Sequence, residues 1–185
     1  MNKTEKIVFA GGCFWCTEAV YQNVNGVKSV VSGYTGGQIK NPAYREVCMG
    51  ITGHAEGVLV TYDPLLVSLE VLLQLFFKTH DPTTLDRQGH DIGSQYRSAI
   101  FWTTESQKKE VLKFIEHLNT SHTHQDPIVT QVAPLEIFYP AEDDHQNYFN
   151  DHKEQPYCQF VIQPKVNKVN TEFTRYLKPS GSNGK

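Results

Sequence analysis

The chain has 185 residues, 39% of them hydrophobic, enough for one packed domain and short for two. Its 17 Lys and Arg against 20 Asp and Glu give a net charge of −3 with no basic stripe, which argues against a nucleic-acid partner. The N-terminal apolar run Ile7 to Ala10 is too short for a signal-peptide core or a membrane span, so a cytoplasmic protein with no membrane partner is expected. In that reducing setting four cysteines suggest metal binding or chemistry before a disulfide framework.

Along the chain, Ile7 to Ala10 reads as a buried strand running into Gly11-Gly12, and Cys13 to Gln22 as a helix that starts at once. Val27 to Tyr34 is a second strand, closed by Gly36-Gly37. From His54 to Tyr62 the residues alternate, with Glu56, Val58, Val60 and Tyr62 on one face, until Asp63-Pro64 stops the strand. Leu69, Leu72, Leu73 and Phe76 mark an amphipathic helix over Ser68 to Thr79 with Ser68 as its cap. Ser98 to Trp102 is a short strand. Thr104 and Gln107 form a capping box for a helix to about Leu118, with Val111, Leu112, Ile115 and Leu118 inward.

Ile128 to Phe138 reads as one further strand, its Pro134 requiring an edge or a bulge. Segments 36–53 and 80–97 are long and rich in Gly, Asp, Gln and Tyr, and such loops usually carry function. The expected fold is α/β: a two-layer α/β sandwich, ferredoxin-like (α-β plait), with one mixed sheet and long active-site loops. A single domain over residues 1–178 is expected, with residues 179–185 as a disordered tail.

The chemistry concentrates in Gly11-Gly12-Cys13-Phe14-Trp15-Cys16-Thr17-Glu18. Two glycines turn the chain out of a strand and set Cys13 in the first turn of the next helix, where unpaired N–H groups and the helix dipole favour a thiolate. Cys16 lies one turn on, on the same face and within reach of a disulfide after modest rearrangement. A buried structural pair and half of a zinc site are the alternatives. Zinc needs a second close pair of ligands, whereas Cys48 and Cys158 are isolated and His122 and His124 are a weak complement, so redox chemistry is favoured. Phe14 and Trp15 on a helix are more often core residues, although two aromatics flanking a thiol in the first turn also suit an apolar wall for a small methyl-bearing group.

The motif Gly12-Cys13-Phe14-Trp15 resembles the signature of the A-type peptide methionine sulfoxide reductases, which act on the S epimer of the sulfoxide. The likeness continues through Ser32-Gly33-Tyr34-Thr35-Gly36-Gly37, Asn41-Pro42-Ala43-Tyr44, Glu46-Val47-Cys48 and Gly53-His54-Ala55-Glu56. It resumes at His80-Asp81-Pro82-Thr83-Thr84, Arg87-Gln88-Gly89, Asp91-Ile92-Gly93-Ser94-Gln95-Tyr96-Arg97-Ser98 and Ala141-Glu142-Asp143-Asp144-His145-Gln146, covering roughly residues 6–168.

The resemblance implies a single catalytic domain that reduces oxidised methionine in proteins or peptides. It makes Cys13 the nucleophile and Glu56 the acid, a carboxyl that would otherwise read as a solvated edge residue. Tyr44 and Tyr96 would hydrogen-bond the sulfoxide oxygen, and Asp91 would help place the substrate backbone. Phe14 and Trp15 would receive the methyl group. His145 and its acidic neighbours read as a structural network, and Cys48 as a buried small hydrophobe.

Many family members carry glycine where this chain has Cys16 and resolve with a C-terminal cysteine. Here both Cys16 and Cys158 are candidates, as resolver or relay, and Cys16 is favoured because effective concentration falls with loop length. The implied reductant is external, a thioredoxin. No metal, flavin or nicotinamide is called for, and the chain is expected to act as a monomer. A general disulfide oxidoreductase and a zinc-stabilised interaction module remain as alternatives.

Overall fold

The computed structural model describes residues 3–179. Alternation in β1 (Glu5–Ala10) sends Ile7 and Phe9 to one face and Val8 and Ala10 to the other, and all four are fully buried. On the first face lie α1 (Phe14–Tyr21), α3 (Leu69–Thr79) and α4 (Glu105–Thr120), whose apolar stripes share one core with Ile7, Phe9, Val58, Val60 and Ile100. Ser68 caps α3 as expected, its side chain accepting the Val71 N–H. Thr104 likewise accepts the Gln107 N–H, but the Gln107 side chain returns to the Thr103 N–H, so the capping box is shifted by one residue. Leu112 is exposed, a correction: Phe114 takes the inward place with Val111, Ile115 and Leu118.

The main sheet joins β1 to β2 (Val27–Thr35), β3 (Ala55–Tyr62), β6 (Ala99–Trp102), β7 (Gln131–Pro134) and β8 (Phe138–Pro140). Their order is β7-β6-β1-β3-β2-β8, antiparallel throughout except for the parallel pair β6–β7. The stretch expected as one strand over residues 128–138 is therefore two strands on opposite edges, with Pro134 ending one of them. That placement bends the sheet. Six flat strands would set their outer edges ~24 Å apart at ~4.8 Å per step. Residues 135–137 bridge β7 to β8. The four Cα-to-Cα steps from Pro134 to Phe138 span at most ~14 Å. The sheet must therefore curl until its edges approach, and Leu135 and Phe138 close over Val8, Ala10, Ala99 and Phe101 on the face without helices. The result is an α/β fold with one curled mixed sheet.

Both long segments contain short elements. Residues 36–53 hold α2 (Tyr44–Cys48); residues 80–97 hold the two-stranded hairpin β4 (Arg87–Gln88) and β5 (Asp91–Ile92) and a 3-10 turn, Ser94–Tyr96. After β8 come α5 (Tyr148–Asp151), a π-turn (Cys158–Ile162) and α6 (Gln163–Glu172), which fold back over α1. Of the expected tail, residues 180–185 lie outside the described residues.

Candidate active site

The turn from β1 into α1 is fixed by Gly12, which has φ +90° and lies where a Cβ would come 2.7 Å from Cγ of Gln88. Only glycine fits between that hairpin side chain and a left-handed backbone. Cys13 then forms the N-cap of α1, one position before the expected first turn, and its carbonyl accepts the Cys16 N–H at 3.1 Å. The expectation of a helix-stabilised resting thiolate is overturned. Burial pushes the Cys13 thiol well above its ordinary range, with Glu56 and Cys16 adding to the rise, and the opposing Trp15 N–H is too weak to reverse it. At neutral pH Cys13 rests as a thiol.

Glu56 stands on the helix-covered face of β3, flanked in the sheet by β1 and β2, and is 1% exposed. It is no solvated edge residue. The Phe14 N–H donates to its Oε2 at 3.2 Å, tying the carboxyl to the start of α1. Burial lifts its pKa to about 8, the Phe14 hydrogen bond opposes the rise, and Asp91 adds to it. Glu56 is thus mostly protonated at neutral pH, an acid held beside a thiol.

Tyr44 opens α2 and Tyr96 ends the 3-10 turn, so the two long segments deliver one hydroxyl each to the same place. Both hydroxyls titrate above their usual range, chiefly through burial, and both feel Glu56 and Cys13. Cys48 is half-buried beside Tyr44, so it is not the buried small hydrophobe expected from the sequence.

Phe14 and Trp15 sit in a cluster of aromatic rings. Phe14 is fully buried, with its ring 5.7 Å from those of Tyr34 and His145. Trp15 stacks on Tyr148 at 3.7 Å and donates its Nε1–H to Nδ1 of His145 at 3.2 Å. His145 in turn lies 4.1 Å from the Tyr44 ring, so it braces the cluster from behind.

Asp91 opens β5, and the Tyr157 hydroxyl donates to its Oδ2 at 2.8 Å. The same hydroxyl lies 3.8 Å from Sγ of Cys16. Cys13, Cys16, Asp91 and Tyr157 line a cavity of about 160 Å³. Cys16 is 3% exposed and Cys158 is fully buried, and the two share an apolar cluster with Ala19, Phe149, Ile162 and Val166. The C-terminal segment thus carries its cysteine into the apolar cluster that also holds Cys16, outside the cavity itself, and all four thiols are free.

Sequence reasoning missed Tyr157 and Tyr148, and His145 was read only as part of a network. The one available signal was the position of Tyr157 next to Cys158. Among the described residues no group of three or more His, Cys, Asp or Glu is placed to hold a metal ion, and no helix is long and apolar enough to cross a membrane.

Residues 5–177 match the family described as peptide methionine sulfoxide reductase. The peptide methionine sulfoxide reductase MsrA of Nautilia profundicola is 53% identical over 180 residues, spanning 97% of this chain and 98% of its own. Methionine sulfoxide reductase A of Corynebacterium diphtheriae matches with a TM-score of 0.78 at 36% identity, over 83% of this chain and 77% of its own. Mxr1 of Saccharomyces cerevisiae, in a complex with Trx2, matches with a TM-score of 0.54 at 27% identity, over 79% of this chain and 85% of its own. This chain belongs to the peptide methionine sulfoxide reductase family.

Proposed function

We propose that the chain acts as a peptide-methionine (S)-S-oxide reductase in which Cys13 is the nucleophile and Glu56 the acid. The observation that carries this reading is a half-buried thiol at a helix N-cap beside a carboxyl that keeps its proton to about pH 8. A sulfoxide oxygen leaves poorly until it is protonated, so a thiol without a neighbouring acid would stall.

The Cys13 sulfur attacks the sulfoxide sulfur while Glu56 gives its proton to the oxygen. Tyr44 and Tyr96 hydrogen-bond that oxygen as negative charge builds on it. The substrate S–O bond breaks and an S–O bond forms on Cys13, leaving methionine and a Cys13 sulfenic acid whose hydroxyl proton came from Glu56, while the proton lost by the Cys13 thiol restores the Glu56 carboxyl. Because the Cys13 thiol titrates high, protonation of Glu56 has a second benefit: it removes the negative charge that most opposes thiolate formation after burial itself. Phe14 and Trp15 receive the methyl group, and Asp91, already bonded to Tyr157, borders the substrate on the other side.

Cys16 then closes a disulfide with Cys13, with Cys158 as the alternative resolver or a relay. The disulfide is reduced by an external dithiol, a thioredoxin; yeast Mxr1 being held in a complex with Trx2 supports this choice. The enzyme needs no metal or bound cofactor of its own and works in the cytoplasm as a single catalytic domain over residues 1–178. The inner strand order β6-β1-β3-β2, all antiparallel with α1 and α3 as the crossovers, supports a ferredoxin-like plait at the heart of the curled sheet.

The test is a single turnover without reductant. One methionine per chain is expected from a peptide carrying the S epimer and none from the R epimer, with insulin disulfides left intact. Reduction of insulin with both sulfoxides untouched would replace this reading with that of a general disulfide oxidoreductase.

A further inference from the structure

One cation at the site has no part in the chemistry above. Lys165, in the first turn of α6, lines the 160 Å³ cavity together with Cys13, Cys16, Asp91 and Tyr157. It also lines a narrow recess behind Cys16, formed with Gly11, Thr17 and His80. Cys16 is common to both spaces, and among the described residues Lys165 is the one Lys or Arg lining either. Its ammonium makes no hydrogen bond or ion pair with any described residue. A half-buried lysine that lines two cavities and whose charge has no carboxylate within ion-pair distance is poorly explained as a stability device.

We infer that Lys165 is a positioning residue for the resolving step, supplying the positive charge that Cys16 needs to attack the Cys13 sulfenic acid as a thiolate. The inference rests on the reading that Cys16 resolves. Closing the disulfide breaks the Cys13 S–O bond and forms the S–S bond. Cys16 is oxidised and Cys13 reduced, and the departing oxygen takes up two protons in all, counting its own, to leave as water.

Cys16 needs such help, because burial raises its pKa. Lys165 is the strongest influence in the opposite direction, ahead of the Tyr157 hydroxyl, while Asp91 and Cys158 add to the rise. The other titratable groups around it are Cys13 in α1, His90 on the β4–β5 hairpin and His80 after α3. His80 cannot serve as the cation: burial lowers its pKa to about 4, so it is neutral where the enzyme works. His90 is exposed at the hairpin tip.

The experiment loads Cys13 as its sulfenic acid with one equivalent of sulfoxide and follows disulfide formation by quench alkylation and mass spectrometry across pH. Sulfenic acid yield is measured first in each variant, so the second step is read on its own. Lys165→Met should move the midpoint of the disulfide-forming step to higher pH by about one unit. Its rate at neutral pH should fall about threefold, since a tenfold loss of thiolate is partly offset by the greater nucleophilicity of a more basic sulfur. Lys165→Arg should restore the wild-type midpoint, which a merely structural role for the lysine stem would not require. An unmoved midpoint in Lys165→Met, with Cys16→Ser unable to form any disulfide, overturns the role of Lys165 and leaves Cys16 as resolver. A wild-type rate of Cys13–Cys158 disulfide formation in Cys16→Ser overturns the resolver reading itself, and the inference falls with it.

Discussion

Cys13 and Cys16 are three residues apart on one helix, yet they sit in opposite kinds of surroundings. Cys13 is half-exposed at the N-cap, facing a protonated carboxyl and the hydroxyl-bearing ends of two loops. Cys16 is nearly sealed, faces an apolar cluster containing a second cysteine, and meets polar groups only at its margin. Both thiols are pushed above their ordinary range by burial, but for Cys13 the next influence is a nearby acid and for Cys16 a nearby cation. Under the proposed mechanism the first setting suits reduction of an oxygen that must be protonated, and the second suits attack on the Cys13 sulfur. The comparison teaches that a Cys-x-x-Cys spacing does not by itself describe a matched redox pair.

Replacing either key group at the Cys13 end should produce the largest effects. Cys13→Ser should form no detectable methionine even in the first turnover while remaining folded. A wild-type single-turnover yield from that variant would end the assignment. Glu56→Gln should slow the reductive step ~10²–10⁴-fold, because a glutamine can hydrogen-bond the oxygen but not protonate it. The pH dependence then separates acid from thiol. The wild-type rate follows the product of Cys13 thiolate and protonated Glu56, so it rises with pH only until Glu56 loses its proton near about pH 8. It then levels, because the Cys13 thiol titrates higher still. The Glu56→Gln variant has no acid to lose, so its lower rate should keep climbing beyond that point. Two profiles of the same shape in stopped-flow measurements would remove Glu56 from the acid role.

The helix start at Cys13 and the strand that carries Glu56 were legible in the sequence, whereas the burial of that carboxyl and the surroundings of Cys16 were not, for a physical reason. A Gly-Gly turn, a cysteine at a helix start and an alternating strand bearing Glu56 are local patterns, each readable within a few residues. The same holds for Ser68 as a cap and for the first three large strands. What surrounds Cys16 comes from residues 148–166, more than a hundred positions away, in short elements with weak periodicity. Nothing local marks Tyr157 as the partner of Asp91. The splitting of residues 128–138 between opposite edges was hidden for a similar reason, since the curl that brings those edges together belongs to the whole sheet. The high-titrating Cys13 was misread because helix position can be inferred from sequence, whereas the depth of burial that outweighs it cannot.

At the Cys16 end the effects should be smaller in the first turnover and visible mainly in recycling. Cys16→Ser should keep its first-turnover yield, while thioredoxin-driven turnover drops at least about tenfold as an intramolecular partner is replaced by a bimolecular one. Cys158→Ser should recycle nearly as wild type if Cys16 resolves directly. Loss of thioredoxin-driven turnover in Cys158→Ser alone would instead make Cys158 the resolver or an obligatory relay, a role its place in the same apolar cluster permits. Dithiothreitol reaches an open sulfenic acid by itself, so it should rescue every variant that keeps Cys13.

The smallest expected effect is at the seam between the two regions. The Tyr157 hydroxyl holds Asp91 at 2.8 Å on one side and approaches Cys16 at 3.8 Å on the other, so it ties the C-terminal cover of Cys16 to the β4–β5 hairpin. Tyr157→Phe keeps the ring and its edge-on contact with Trp15, with centroids 6.0 Å apart, but cuts that tie. Losing one such hydrogen bond costs about 1 kcal/mol, which corresponds to roughly a fivefold rise in transient opening of the cover. In a Cys13→Ser background, alkylation of Cys16 by iodoacetamide should therefore quicken about fivefold. In the Cys13-containing protein the pH near 8 at which the reductive rate levels should stay where it is, since Tyr157 is not among the groups that set the Glu56 pKa. Alkylation of Cys16 at an unchanged rate would mean that its seclusion comes from apolar packing with Cys158 and Phe149 alone. A moved levelling point would mean that the two thiol environments are one coupled site rather than two.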